Sequence, residues 1–516
     1  MLLFALSACS STPETVGIPS AQVTGGTVEG TVVEGLSIFK GIPFAAPPVD
    51  ELRWKAPQPV VPWTGVKPAV AFGNSCIQDP GMARSMGDTS EMSEDCLYLN
   101  VWSPAARASD RLPVLVWIHG GGFTGGMTSV PMYNGENLAG KGVVVVSTTY
   151  RLGPLGFMAH PELSEESGGG SGNYGLRDMI VGLEWVKNNV GKFGGDPSKV
   201  TIFGHSAGGT AVSVLAASPA AAGLFRGVIS MSGASMAPLR TNTRNETGIR
   251  VAALSVAEAD GAAFLGKLGA ADIAAARAIA AEDIHKAVAG SGFSSRPVAD
   301  GHIIMDDQYL LYQAGRFNDT PILLGSTSNE MASMGGGTRK TTAAEFISQV
   351  NSSYGSEAAD LLAVYPHADD DEATLSSSLL SSDNTFGWNT WTWARMQARH
   401  GKGKAFIYYF DHAPTSPNGA GHGSDVSYAF QTLTGNDGAP PEAENVALSD
   451  LMSSYWVNFT KTGDPNASGL PEWPAYSDVS PRGMIFRDGA GTAGDYPNMQ
   501  RMEAMDKYFT RIRAVR

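Results

Sequence analysis

The chain is 516 residues long, with 43% hydrophobic and 17% charged residues. That is enough apolar material for a large buried core and too much for a disordered chain. Its 36 Lys and Arg against 50 Asp and Glu give a net charge of −14, which repels a phosphate backbone and excludes nucleic acid as the expected partner.

The N-terminus reads MLLFALSACSST. The apolar stretch Leu2–Leu6 leads into Leu6-Ser7-Ala8-Cys9, a tetrapeptide similar to bacterial lipoprotein signals, in which the cysteine becomes the lipidated first residue. The expectation is export to the periplasm or outer membrane, with a membrane tether through a lipid on Cys9. No Lys or Arg precedes the short apolar run, so a cytoplasmic chain with an apolar start is the alternative. Residues 10–24, rich in Ser, Thr, Pro and Gly, read as a flexible tether, which divides 1–24 from one folded domain over 25–516. Cys76 and Cys96 are the remaining cysteines. In an exported chain a bond between them would be worth about 3 kcal/mol; two buried free thiols are the alternative. No CxxC and no His pair at ligand spacing occur, so no metal is expected. No run of about 18 apolar residues predicts a membrane span.

Six short apolar runs predict central strands of a parallel sheet: Leu112–Ile118, Val143–Thr148, Val200–Phe203, Gly227–Met231, Ile322–Leu324 and Ala405–Phe410. Helical periodicity lies between them. Leu176, Ile180, Leu183 and Val186 share a face and are followed by the stop signal Phe193-Gly194-Gly195-Asp196-Pro197. The Ala-rich stretch Ala270–Ala289 predicts a helix, and so does the face formed by Leu451, Met452, Tyr455, Trp456 and Phe459. The acidic run Asp369–Glu372 reads as a helix first turn rather than a cation site. Alternating strands and helices place the chain in the α/β class.

The decisive segment is Val200-Thr201-Ile202-Phe203-Gly204-His205-Ser206-Ala207-Gly208-Gly209, a β-branched strand running through G-x-S-x-G into an Ala-rich helix. The turn must be tight, and Gly204 and Gly208 leave room for it. Ser206 is thereby presented as a nucleophile, with the N–H of Ala207 at the helix start aimed at the same space. His119-Gly120-Gly121-Gly122-Phe123 directly follows the strand Leu112–Ile118. Its bare backbone predicts two more N–H donors for a developing oxyanion. An acid at Glu330, after one late strand, and a base at His422, after the next, complete the order Ser, acid, His. His412 is the rival base; Asp319 and Asp300 are the rival acids.

Together these motifs resemble the type-B carboxylesterase family, and the resemblance extends from about residue 25 to about residue 480 of the printed sequence. Gly41-Ile42-Pro43-Phe44-Ala45 with Leu52-Arg53-Trp54 is similar to its N-terminal block. Glu94-Asp95-Cys96-Leu97-Tyr98-Leu99-Asn100 is similar to its second signature. Gly172-Asn173-Tyr174-Gly175-Leu176-Arg177-Asp178, Thr462-Gly463-Asp464-Pro465-Asn466 and Trp473-Pro474-Ala475-Tyr476 continue the likeness. The resemblance implies a single α/β-hydrolase domain with large insertions over the active site. It implies a Ser206-His422-Glu330 triad, an oxyanion hole of Gly121, Gly122 and Ala207, and a Cys76–Cys96 disulfide. Ser232 matches a family serine beside the triad. No cofactor is called for. Two residues depart from the pattern: His205 stands where the family usually has Glu, and Met331 where Gly is common.

The reaction expected is acyl transfer from a small-molecule carboxylic ester. Phe123, Met331, Phe386 and Trp391 are candidates for the substrate pocket, although Trp388, Trp391 and Trp393 at near-helical spacing also read as core. An amidase, carbamate hydrolase or lactonase would use the same groups, and a triad-deficient binding protein is the more distant alternative.

Overall fold

The apolar runs that read as buried strands are buried strands. The computed structural model describes residues 17–87, 90–241, 250–334, 340–435 and 439–514. Among these, eleven strands pair into one sheet: β1 (Thr31–Val33), β2 (Leu36–Pro43), β3 (Tyr98–Ser103), β4 (Leu112–Ile118), β5 (Val144–Thr148), β6 (Gly195–His205), β7 (Gly227–Met231), β8 (Ile322–Thr327), β9 (Ala405–Phe410), β10 (Arg482–Arg487) and β11 (Ala490–Asp495). Their spatial order is β1-β2-β3-β5-β4-β6-β7-β8-β9-β10-β11. From β5 through β10 every neighbouring pair is parallel. The outer pairs β1/β2, β2/β3, β3/β5 and β10/β11 are antiparallel. The parallel strands β5, β7, β8 and β9 are buried along their whole length, which is why they read as continuous apolar runs.

Helices fill the crossovers. Those needed below are α1 (Tyr174–Asn189), α2 (Ala207–Ala217), α3 (Asp370–Ser382), α4 (Trp388–His400) and α5 (Ala443–Thr462). A π-helical turn, Asp383–Gly387, joins α3 to α4. The acidic run caps α3: Asp369 accepts from the N–H groups of Asp371 and Glu372 at 3.0 and 2.9 Å. None of the described helices is long and apolar enough to cross a membrane.

Two expectations are corrected. The tether assigned to 10–24 stops short of its expected end. Ser20–Val23 alternates exposed and buried residues and pairs with Gly26–Glu29 in a small separate sheet, while Ile18 donates to Ser37 Oγ at 2.7 Å. The helix expected over Ala270–Ala289 is broken into Ile273–Arg277 and Ala281–Lys286. The cause is Arg53, whose guanidinium takes the carbonyls of Arg277 and Ile279 at 3.0 and 2.6 Å, so they are not left to continue a helix. Cys9 lies outside the described residues.

Several of the motif residues hold the frame rather than the site. Arg53 pairs with both oxygens of Glu94 (2.7 and 2.6 Å), and Arg151 with both oxygens of Asp178 (2.8 and 2.7 Å), the latter pair fully buried. Loss of one partner from such a pair strands a charge in low dielectric and costs about 3–5 kcal/mol. Cys76 and Cys96 are joined in a disulfide.

Candidate active site

Strand β6 ends at His205 and helix α2 begins at Ala207, so Ser206 alone makes the turn. It adopts φ +58° and ψ −121°, a conformation that an L-residue holds only when its surroundings enforce it. They do so from both sides: the Ser206 N–H donates to Met231 O (2.9 Å), and its carbonyl accepts from Thr210 N (2.8 Å). The glycines are required by contact. A Cβ on Gly204 would stand 2.4 Å from the Gly208 carbonyl carbon, and one on Gly208 would stand 2.0 Å from Ile118 O. Ser206 is partly exposed between buried neighbours.

Glu330 follows β8 and is buried. Its Oε1 accepts from the Thr327 N–H (2.8 Å) and the Ser232 hydroxyl (2.7 Å), and its Oε2 takes the Nδ1–H of His422 at 2.6 Å. The backbone adds a fourth link, His422 N–H to Glu330 O at 3.1 Å. A carboxylate only accepts, so Nδ1 must carry the hydrogen and the lone pair of neutral His422 lies on Nε2. That nitrogen is buried and has no hydrogen-bond partner among the described residues. Two rings flank the imidazole, Phe386 at 4.6 Å and His205 at 4.5 Å between centroids.

The glycine loop leaves β4 and lies against the nucleophile. A Cβ on Gly120 would meet His205 O at 2.7 Å and Ser206 Cβ at 3.0 Å. Gly121 and Gly122 take φ +114° and +65°. Among the described residues, the N–H groups of Gly121, Gly122 and Ala207 make no backbone hydrogen bond. Behind the loop, His119 stacks on Tyr150 (4.4 Å), and burial pushes its imidazole down to about 4, so it is a neutral support.

The rival residues are engaged elsewhere. His412 Nε2 pairs with Asn445 Oδ1, and its Nδ1 accepts from the Gly489 N–H. Asp319 accepts from Lys402, Gly403 and Gln397, and Asp300 caps the turn of residues 302–304.

The pocket expectation divides. Phe386 touches His422. Trp391 does not reach the site: its N–H donates to the Tyr476 hydroxyl (2.9 Å) and its ring carries the Arg395 guanidinium at 4.2 Å, which makes it core. Trp388 and Trp393 are likewise fully buried and bonded to Asp506 and Tyr312. Phe123, at φ +63°, is also core, buried and packed on Phe157. Met331 is partly exposed on the turn after Glu330 and donates its N–H to Ser382 Oγ.

Residues 14–490 match the carboxylesterase family model. The chain belongs to the carboxylesterase family. It is 36% identical to fumonisin B1 esterase of Sphingopyxis macrogoltabida over 90% of this chain and 85% of that one. It is 33% identical to para-nitrobenzyl esterase of Bacillus subtilis, over 93% and 97% of the two chains. A solved structure of PNB esterase superposes with a TM-score of 0.80 at 32% identity, covering 95% of this chain and all of that one. The fold is therefore the α/β-hydrolase fold of that carboxylesterase.

One further buried carboxyl of this carboxylesterase is electrostatically coupled to Glu330 and His422. Asp425 lies three residues after His422 and is completely buried. The Tyr408 hydroxyl donates to its Oδ2 at 2.6 Å, while its Oδ1 has no partner among the described residues. Burial raises its carboxyl to about 7; the tyrosine hydrogen bond opposes the rise and the Glu330 charge adds to it. The only sequence signal was its proximity to His422. Asp383, at the start of the π-helical turn, is likewise raised by burial, with Arg501 opposing at 2.9 Å.

Proposed function

We propose that this carboxylesterase hydrolyses small carboxylic esters by two-step acyl transfer through Ser206, His422 and Glu330. The observation that carries the reading is the His422 imidazole, with Nδ1–H fixed on Glu330, Nε2 without a hydrogen-bond partner among the described residues, and its ring packed against His205, the residue before a strained, partly exposed serine. His422 Nε2 takes the Ser206 proton as Oγ attacks the ester carbonyl carbon. Glu330 holds the tautomer and stabilises the imidazolium that forms. The N–H groups of Gly121, Gly122 and Ala207 receive the oxyanion. The intermediate collapses with the C–O bond breaking, and His422 returns its proton to the alcohol. Water, deprotonated by the same imidazole, then releases the acid and restores the serine.

The Phe386 ring beside His422 supports acyl or alcohol groups that are small or aromatic. Hydrolysis of para-nitrophenyl esters from acetate to decanoate, and of the benzoate, by wild type and Ser206→Ala tests the reading. Activity abolished in the variant supports it, and equal activity in both overturns it. Export with a lipid on Cys9 belongs to the same reading, supported by the Leu6–Cys9 tetrapeptide and by a disulfide that suits an oxidising compartment. An intact mass equal to that of residues 9–516 plus a diacylglyceryl and an acyl group would support it, and an unmodified Met1 start would contradict it.

A further inference from the structure

The residue before the nucleophile, His205, has no part in the proton transfers above. Its ring nevertheless packs directly against the base. Its ring centroid lies 4.5 Å from that of His422, with 40° between the planes. Among the described residues its Nε2 is buried without a hydrogen-bond partner, and a Cβ on Gly423 would stand 3.2 Å from its Cε1, so the residue after His422 closes on it from the other chain segment. An imidazolium needs an acceptor for each of two N–H groups. Among the described residues no carboxylate pairs with His205 to supply one.

Resting on the triad assignment, we propose that His205 is a positioning residue: a neutral imidazole whose ring, with that of Phe386, fixes the orientation of His422 and keeps a second charge away from it. Burial and the charge of His422 both push the His205 imidazole well below its usual range, in agreement with a neutral ring. The other groups that bear on His422 are Glu330, hydrogen-bonded to Nδ1, and the buried carboxyl of Asp425. Beside the glycine loop that touches His205, His119 is also held neutral and bonded to Gly120 O. The charge in direct contact with His422 is therefore that of Glu330, and a neutral His205 adds none. A carboxylate at position 205 would add a negative charge within about 4–6 Å of the imidazole and favour its cation.

The test is the pH dependence of kcat/KM for para-nitrophenyl acetate, with kcat referred to active sites counted by a fluorophosphonate so that misfolded protein does not enter. His205→Ala is expected to lower kcat about ten-fold with KM little changed, through loss of orientation of the base. His205→Phe, which restores a neutral ring, should recover kcat to within about three-fold and leave the acid limb in place. His205→Glu should move the acid limb upward by about one pH unit or more. Full kcat in His205→Ala, a His205→Phe enzyme as slow as His205→Ala, or an unmoved acid limb in His205→Glu would each overturn the proposal. If wild type itself fails to turn over esters or to react with the fluorophosphonate, the triad reading fails, which is a distinct result.

Discussion

Replacing Glu330 with Gln is the sharpest perturbation of the site because it removes charge while keeping shape. Oε1 of Glu330 already accepts two donors, the Thr327 N–H and the Ser232 hydroxyl, so the amide oxygen of Gln must occupy that place. The amide nitrogen then faces His422 Nδ1, where the carboxylate had accepted at 2.6 Å. Two donors cannot share that contact, so Nδ1 gives up its hydrogen and Nε2 takes it, in the tautomer that cannot act as a base. The imidazolium of the transition state also loses a charge partner worth about 4 kcal/mol at a separation near 4 Å and an effective dielectric of 20. That corresponds to about three orders of magnitude in rate, and the analogous change in a serine protease costs about 10⁴. The expected outcome for Glu330→Gln is kcat on para-nitrophenyl acetate lowered about 10³- to 10⁴-fold, with KM little altered and the fold intact by circular dichroism. A folded variant that keeps more than about a tenth of wild-type kcat would refute the assignment of Glu330 as the group that sets the tautomer.

Other consequences follow from the same contacts. Asp425 has a folded-state pKa raised from 3.8 to about 7, so the folded protein holds a proton that the unfolded chain releases above about pH 4, and stability is lost as pH rises toward 7. Asp425→Asn should therefore gain about 2–3 kcal/mol relative to wild type on going from pH 5 to pH 8, read from urea unfolding; a difference that does not change with pH would contradict the buried, proton-holding carboxyl. Gly208→Ala places a Cβ 2.0 Å from Ile118 O, and should cost about 1–3 kcal/mol or more and abolish fluorophosphonate labelling of Ser206. The double variant Cys76→Ala, Cys96→Ala should lose about 3 kcal/mol in urea unfolding at neutral pH, and an unchanged midpoint would show that the crosslinked loop contributes nothing.

The central sheet and the strand–turn–helix elbow were legible because burial and tight backbone contacts write strong local signals. A parallel strand covered on both faces must be apolar throughout, so Leu112–Ile118, Gly227–Met231 and Ala405–Phe410 were found to the residue. The elbow was legible because Gly204 and Gly208 have no alternative beside the Ile118 carbonyl. The antiparallel margin was harder. Leu36–Pro43 carries mixed burial, and the β10/β11 hairpin rests on Asp488 and Gly489, both at positive φ, a two-residue turn of the Asp-Gly type whose sequence signal passed unused. The break in Ala270–Ala289 was not legible, because it is imposed by Arg53 more than 200 residues earlier in the chain. Trp391 read both as a pocket candidate and, by its near-helical spacing, as core; the Tyr476 hydroxyl and the Arg395 guanidinium place it in the core. Asp425 shows the same limit from the other side: complete burial raises its proton affinity, the Glu330 charge adds to the rise and the Tyr408 hydrogen bond opposes it, and neither of those residues is adjacent in sequence.

Two-step acyl transfer requires Ser206 Oγ to become covalently acylated. Quenching the enzyme in acid during turnover of a slowly deacylated aryl ester, followed by peptide mass mapping, detects that bond. One acyl group is expected on the peptide containing Ser206, and none in Ser206→Ala. An acyl group found on a different residue, or steady turnover with the Ser206 peptide unmodified in rapid-quench samples and no loss of rate in Ser206→Ala, would contradict it.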